Sequence, residues 1–402
     1  MGKTRKLNAN RTGYALLFMI VAMVVLLAAG AGLLQLGLRG RIRATRNTEQ
    51  ISARCAADAG LTKALYEVNS KLTNGTWNEN LLPLQHNEQL QHTRGVFTYK
   101  VRTNESGNYS VTSIGVAGGA CKIVHGELGL KSIYEYGLFT KGGMDLKAGT
   151  IIDQYNAKPE HGSLKLGTNS TETNAIAFFP SITVDGDVVV GPGGDPETVI
   201  MQKSESAIAG NTYAMSEENN LPDISVPSSL AAAASNGSVT GSVTISSSGK
   251  YDSIDLAGTD VITIDGDVTL YVTGPVRLHN SAQLNIVATN PNASLTLYLG
   301  GDMLTDNAAL INNETQDAKN LKIIGTPTCL NIDCKNGGQV YGTIYAPSAS
   351  VTFYNSMDFN GAIIADEFLQ QARGNIHYDA SLKDATPTDE GVRFVIKRWS
   401  EE

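Results

Sequence analysis

Tyr341-Gly-Thr-Ile-Tyr-Ala-Pro347 and Asn360-Gly-Ala-Ile-Ile-Ala-Asp366 stand nineteen residues apart and share one pattern: a polar or aromatic residue, a glycine, then a short apolar run. A segment of similar length, Leu321 to Val340, precedes them. Periods of about 20 residues made of short strands and polar turns indicate stacked coils, because one coil cannot bury its own apolar side chains. Stacking is expected to lay Ile344, Val351 and Phe353 over Ile363, Ile364 and Phe368. A second repeat lies outward from this one, Ile182-Thr-Val-Asp-Gly-Asp-Val188 against Ile262-Thr-Ile-Asp-Gly-Asp-Val268. From Tyr134 onward helix signals nearly vanish, and Val/Ile/Thr-rich pieces alternate with Gly, Asn, Asp and Ser suited to tight turns. The pattern predicts an all-β solenoid, a right-handed β-helix, over residues 132–380. Residues 216–250, with Pro222, Pro227 and the run Ala231 to Ala234, read as an irregular insertion or lid between two arcs of it. Residues 381–402 form a tail whose Gly391-Val-Arg-Phe-Val-Ile-Lys-Arg-Trp399 predicts a closing strand.

Toward the N-terminus the period changes. Gly95–Arg102, Tyr109–Val116 and Ala120–Leu130 alternate as strands, separated by turns at Asn104–Asn108 and Gly118-Gly119, which predicts an antiparallel meander. Before it, Arg41 to about Leu72 has no proline and one glycine, and is rich in Ala, Arg, Glu, Lys and Leu, so it reads as helix until Asn74-Gly75. Ile51, Cys55, Ala59, Thr62, Leu65 or Tyr66, and Leu72 fall three or four apart and predict its buried stripe.

The first 38 residues carry the strongest functional signal. Lys3, Arg5, Lys6 and Arg11 fill a short leader, residues 1–13, that has no acid. After Gly13, residues 14–38 are apolar throughout except for Gln35, long enough as a helix to cross a bilayer core of about 30 Å. Three readings are open: a permanent anchor, a secretory signal peptide cut near Ala29-Gly30-Ala31, or a processed membrane helix. Leu33, Leu34, Leu36 and Leu38 carry the apolar run past Ala31, against the signal peptide.

The leader, the apolar helix and Ala53-Arg-Cys-Ala-Ala-Asp-Ala-Gly-Leu-Thr-Lys-Ala-Leu65 resemble PilX-like type IV pilus assembly proteins, minor pilins or pseudopilins. So do Gly342–Phe353, Phe359–Ala365, Asn375–Asp379, Tyr136–Leu146 and Asp153–Asn156, which are similar to their C-terminal solenoid domain. The resemblance implies cleavage by a prepilin peptidase between Gly13 and Tyr14, and a pilin-like α+β module over residues 39–131. It departs at the fifth mature position, where the usual glutamate is Phe18. It further implies that pilin packing brings Cys55 and Cys121 together, as a bridge or as two buried free cysteines. Its partners would be other pilins or pseudopilins through the N-terminal helix.

Charge excludes one class of function. Residues 1–54 hold nine Lys or Arg against one acid, so the total of −8 leaves −16 on the remainder. A bulk that acidic repels phosphate, which argues against nucleic-acid binding. Arg39, Arg41 and Arg43 flank the far side of the span nearly as strongly as the leader flanks the near side, so charge alone leaves orientation open. Cys329 and Cys334 could staple one coil as a disulfide in an oxidising compartment, or remain thiols; no histidine stands near them to complete a metal site. Catalytic signals are absent: His86, His92, His125, His161, His279 and His377 are scattered and no phosphate loop occurs. Asp185/Asp187 and Asp265/Asp267 can offer oxygens to Ca²⁺, but each Asp-Gly-Asp stands without further ligands and suits a solenoid corner. The expectation is a non-enzymatic, cofactor-free pilin-like subunit of the bacterial inner membrane, single-pass with its bulk periplasmic or extracellular, entering a filament or its tip. The alternatives are a membrane-anchored β-helix that binds or degrades polysaccharide, and a bactofilin-like scaffold.

Overall fold

The computed structural model describes residues 12–103, 108–306 and 308–402, which form two compact units. The first unit takes residues 1–129 and 394–402, the second residues 130–393.

The first unit is built on α1 (Thr12–Thr73), a helix of 62 residues and about 93 Å. It stops at Asn74-Gly75 because Gly75 turns left-handed (φ 62°). The N–H groups of Gly75 and Thr76 then reach back to the carbonyls of Leu72 and Lys71, closing the last turn. Its C-terminal half lies on an antiparallel sheet of β1 (Leu84–Gln89), β2 (Val96–Thr103), β3 (Tyr109–Ala117) and β4 (Ala120–Lys131). The buried stripe of α1 is Ala53, Ala56, Ala57, Gly60, Leu61, Ala64 and Val68. This corrects the expected stripe: Ile51, Cys55, Thr62 and Tyr66 are exposed, and Ala59 and Leu65 only half-buried. The reason is steric. A Cβ on Gly115 of β3 would stand 2.0 Å from the Ala53 carbonyl oxygen, and one on Gly60 would stand 2.2 Å from Ser113 Oγ. At Ala53, Ala57 and Gly60 helix and strand approach so closely that only Ala and Gly fit between them, while Leu61 and Val68 fill the wider space further along.

The sheet has two strands more than the expected meander. β1 precedes it, and the C-terminal strand Arg393–Glu401 adds beside β4. Ile123 and Glu402 exchange both backbone hydrogen bonds, at 3.3 and 2.9 Å. Asn69 of α1 holds this last strand by its side-chain amide, donating to the Phe394 carbonyl (3.1 Å) and accepting from the Phe394 N–H (2.7 Å). Phe394 packs against Trp77 and Tyr109 with ring centroids 5.0 and 4.9 Å away.

The second unit is β-rich, and its strands pair in parallel, each with a strand about 15–30 residues away in the chain or with one from the far end of the unit. Inward residues form ladders. Leu270, Leu297, Ile323, Ile344, Ile363, Leu138, Leu166 and Val188 occupy successive strands in register, all at most 3% exposed. Ile344 lies against Ile363, as the nineteen-residue repeat predicts, but a register shift between Ala346 and Ser350 sets Val351 against Phe368. Ile364 instead pairs with Tyr345, and Phe353 pairs with Gln370 while its ring meets Phe368 edge-on at 5.1 Å.

Order in the stack is not order in the chain. The first tier, Leu138–Thr140, Met144–Leu146 and Ile151–Tyr155, sits between two others. On one side it pairs with Leu164–Thr168, Ile176–Phe178 and Thr183–Val184, the next segments along the chain. On the other it pairs with Met357–Gln370 and Asn375–Asp379, the last strands of the unit. The chain therefore starts mid-stack and builds outward to Thr212–Ala214. It restarts with Ser238–Val239, Val243–Ile245 and Gly249–Tyr251, then builds back to its own beginning.

Residues 215–227 make the crossing, so the insertion expected over 216–250 ends earlier, and residues 238–251 already form strands. The crossing covers one outer face of the stack. Tyr298, Ile324, Tyr345, Ile364, Phe139 and, beyond Gly167, Val189 form an outward column whose large side chains are at most 3% exposed. Met215, Leu221, Ile224 and Val226 pack on the core there, and the Tyr345 hydroxyl donates to the Pro222 carbonyl at 2.7 Å. A parallel sheet covered on both faces needs apolar residues at consecutive positions, which is why Leu297-Tyr298-Leu299 and Ile363-Ile364 do not alternate.

Candidate functional site

Residues Tyr14–Leu38 of α1 are exposed along their whole length, with Tyr14 at 76% and Phe18 at 75%. This is the one described helix long and apolar enough to cross a membrane. Ala22, Ala28, Ala29, Gly30, Ala31 and Gly32 break the bulky surface, and a Cβ on Gly30 or Gly32 would touch nothing. An apolar surface this large marks an interaction site, and small residues within it let another helix come close. The helix runs unbroken through Gly13 and Tyr14, while residues 1–11 of the basic leader lie outside the described residues.

In the second unit the titratable side chains join neighbouring tiers. His161 is buried; its Nδ1 accepts the Lys158 N–H (3.1 Å), which fixes the proton on Nε2, and Nε2 donates to Asp384 Oδ1 (2.7 Å). Lys158 Nζ reaches the other Asp384 oxygen at 2.7 Å. Burial acts to raise the Asp384 carboxyl, but the bonds from Lys158 and His161 outweigh it and hold the carboxyl below its ordinary value. Lys383 donates to the His161 carbonyl at 2.6 Å, and burial lowers its amine. This cluster ties residues 158–163 to residues 379–384 and presents no hydroxyl or thiol to its imidazole. His377 Nδ1 meets Asp153 at 2.5 Å across two paired strands, and His279 lies between Asp255 (3.4 Å) and Asp306 (3.1 Å). His161, His279 and His377 thus lie apart from one another, each against carboxylates of other tiers.

The Asp-Gly-Asp segments lie at corners. Asp187 accepts from Ser163 Oγ (3.1 Å) and the Asn211 N–H (2.8 Å), Asp265 from Asn290 (2.9 Å), and Asp267 from Ser294 Oγ (2.5 Å). Among the described residues no three His, Cys, Asp or Glu side chains gather to hold a metal.

Neither expected disulfide is formed: Cys55, Cys121, Cys329 and Cys334 are all free. Cys55 falls off the buried stripe of α1, and both it and Cys121 are exposed rather than joined inside the packing. Cys334 points into the stack from strand Asn331–Cys334, whereas Cys329 sits in the preceding turn with its Sγ toward the Asn331 carbonyl (3.8 Å). Burial, with Asp302 and Asp333 adding to it, pushes the Cys329 and Cys334 thiols up to about 12.

A family described as a domain of unknown function (DUF7305) matches residues 205–385, less than half of the chain. No curated protein matches. Among solved structures the chain is similar to the competence-associated pilin ComZ from Thermus thermophilus: 12% identity, 88% of this chain and 98% of that one, TM-score 0.24. It is also similar to an ice binding protein from an Antarctic bacterium, Flavobacteriaceae: 12% identity, 61% of this chain and 66% of that one, TM-score 0.19. Superpositions this loose identify neither fold nor function.

Proposed function

We propose that this chain is a PilX-like minor pilin or pseudopilin, a non-enzymatic, cofactor-free subunit of a type IV pilus or related filament. The observation that carries the reading is the division of α1. Its first half is apolar and uncovered, and its second half is seated through Ala and Gly on an antiparallel sheet. A plain anchor needs only the first of these. A helix that leaves the membrane for a bundle of like helices keeps its apolar face covered in both places, lipid in one and neighbouring pilins in the other. The span would lie in the bacterial inner membrane with both folded units on the outer side.

The parallel tiers are, in this reading, the coils of a right-handed β-solenoid. The 264 residues of the second unit exceed what a regular shaft of small pilins can bury, which favours the filament tip, with the solenoid as a priming or adhesive face. Mass spectrometry of the intact N-terminus from the native host tests the proposal. A chain beginning at methylated Tyr14 is expected, and one beginning at Met1 or Gly32 would overturn it. Immunogold labelling along isolated pili tests the tip position, which even decoration of the shaft would refute.

A further inference from the structure

Arg39, Arg41, Arg43 and Arg46 follow directly on the apolar segment of α1, and all four are exposed. Among the described residues none of them has an acidic partner. The helix is continuous here, so Arg39, Arg43 and Arg46 stand at i, i+4 and i+7 on one stripe, with Arg41 on the opposite side. No acid occurs from Tyr14 to Thr48. The first one, Glu49, is turned toward the Gly119 N–H at 3.4 Å. The stripe rises about 10 Å along the axis, and the headgroup layer of one leaflet is about 5–7 Å deep. Arg39 and Arg43 therefore fall at phosphate level when Leu38 ends the apolar core, and the long side chain of Arg46 reaches down to it.

Outside the leader and these four arginines the first unit is balanced, nine Lys or Arg against nine Asp or Glu, whereas the second holds 14 against 30. An anionic surface repels the second unit, and its attraction falls on the arginines that follow the apolar segment.

We infer that the Arg39/Arg43/Arg46 stripe binds the phosphate headgroups of anionic phospholipids on the far side of the membrane, with Arg41 contributing from the opposite face. This rests on the reading of residues 14–38 as a membrane span. The binding is by positive charge at phosphate level, which Lys would supply as well as Arg. The arginines hold the span at a fixed depth while the protein waits in the membrane.

The test is lipid selectivity measured on the full chain in bilayers. Spin-labelled phosphatidylglycerol is compared with spin-labelled phosphatidylcholine for the fraction of lipid immobilised at the protein. An approximately fivefold preference for the anionic lipid is expected, falling toward one in R39Q/R43Q/R46Q and retained in R39K/R43K/R46K. The leader variant K3Q/R5Q/K6Q/R11Q should keep most of the preference, and inorganic phosphate at constant ionic strength should leave it unchanged. Equal immobilisation of the two lipids by the wild type would overturn the inference. So would a triple Gln variant that keeps the preference, a Lys variant that loses it, a leader variant that abolishes it, or competition by free phosphate. If the triple Gln variant lost self-association with lipid preference intact, the stripe would belong to a neighbouring chain. Failure of the chain to immobilise either lipid would refute the span itself, and this inference with it.

Discussion

Cysteine placement shows what one side chain's surroundings decide. Cys329 and Cys334 are four residues of sequence away from being neighbours, yet one faces the interior from a strand and the other occupies a turn. A thiol held near 12 carries almost no thiolate at neutral pH and reacts slowly. Iodoacetamide on the native protein is expected to modify Cys55 and Cys121 within minutes, and Cys329 and Cys334 only after unfolding, as peptide mapping would reveal. Carboxylates give a second expectation. Burial raises Asp302, but the Leu330 N–H, the Asn331 N–H and Asn331 Nδ2 at 2.9–3.0 Å outweigh it and lower the folded value, as happens at Asp384. A carboxyl lowered on folding contributes stability above its unfolded pKa of about 4, and that contribution is lost as pH falls through the folded value. Urea midpoints should therefore decline below about pH 4, and D302N should flatten that decline. The histidines and the Asp-Gly-Asp segments were legible as isolated features, but the sequence held no sign of which carboxylate each histidine would meet. Those partners come from other tiers, up to 224 residues away.

At the scale of elements, α1 illustrates the difference between period and phase. Helix, length and breaking point were all readable, since they depend on local propensity and on Asn74-Gly75. The buried face was misplaced because hydrophobicity was taken as the guide, whereas close contact with β3 selects small residues. G115V should prevent that approach and cost about 2 kcal/mol or more in chemical denaturation, while V116T on the exposed side of the same strand should be near neutral. Besides its pairing with β4, the C-terminal strand is held at its start by the Asn69 amide and the Phe394 ring. N69A leaves the Phe394 backbone pair unsatisfied and F394A empties the Trp77/Tyr109 cluster, so losses of about 1–3 and 3–5 kcal/mol are expected. Both should be read from urea unfolding followed through Trp77 fluorescence.

The whole molecule is organised by the out-and-back course of the second unit. Strands 138–155 lie between strands 164–184 and 357–379, so neither arc has its full set of neighbours without the other. Residues 130–393 produced alone should unfold cooperatively in urea. Residues 205–385, the stretch matched by the domain family, should be less stable or aggregate, because strands 357–379 would present an unpaired edge. Circular dichroism and gel filtration of the two fragments would decide this, and equal stability would contradict the pairing described above.

The sequence by itself determined the elements: the exposed apolar helix, its termination, the meander, and the coil-length repeat with inward apolar positions. Each of these follows from a local rule of propensity, turn chemistry or period that a few adjacent residues satisfy. Only the tertiary structure decided which tier stands beside which, which outer face the crossing segment covers, and which face of α1 meets the sheet. Every tier offers the same backbone edge and the same ladder of apolar side chains, so tier order is set by how the whole chain closes on itself.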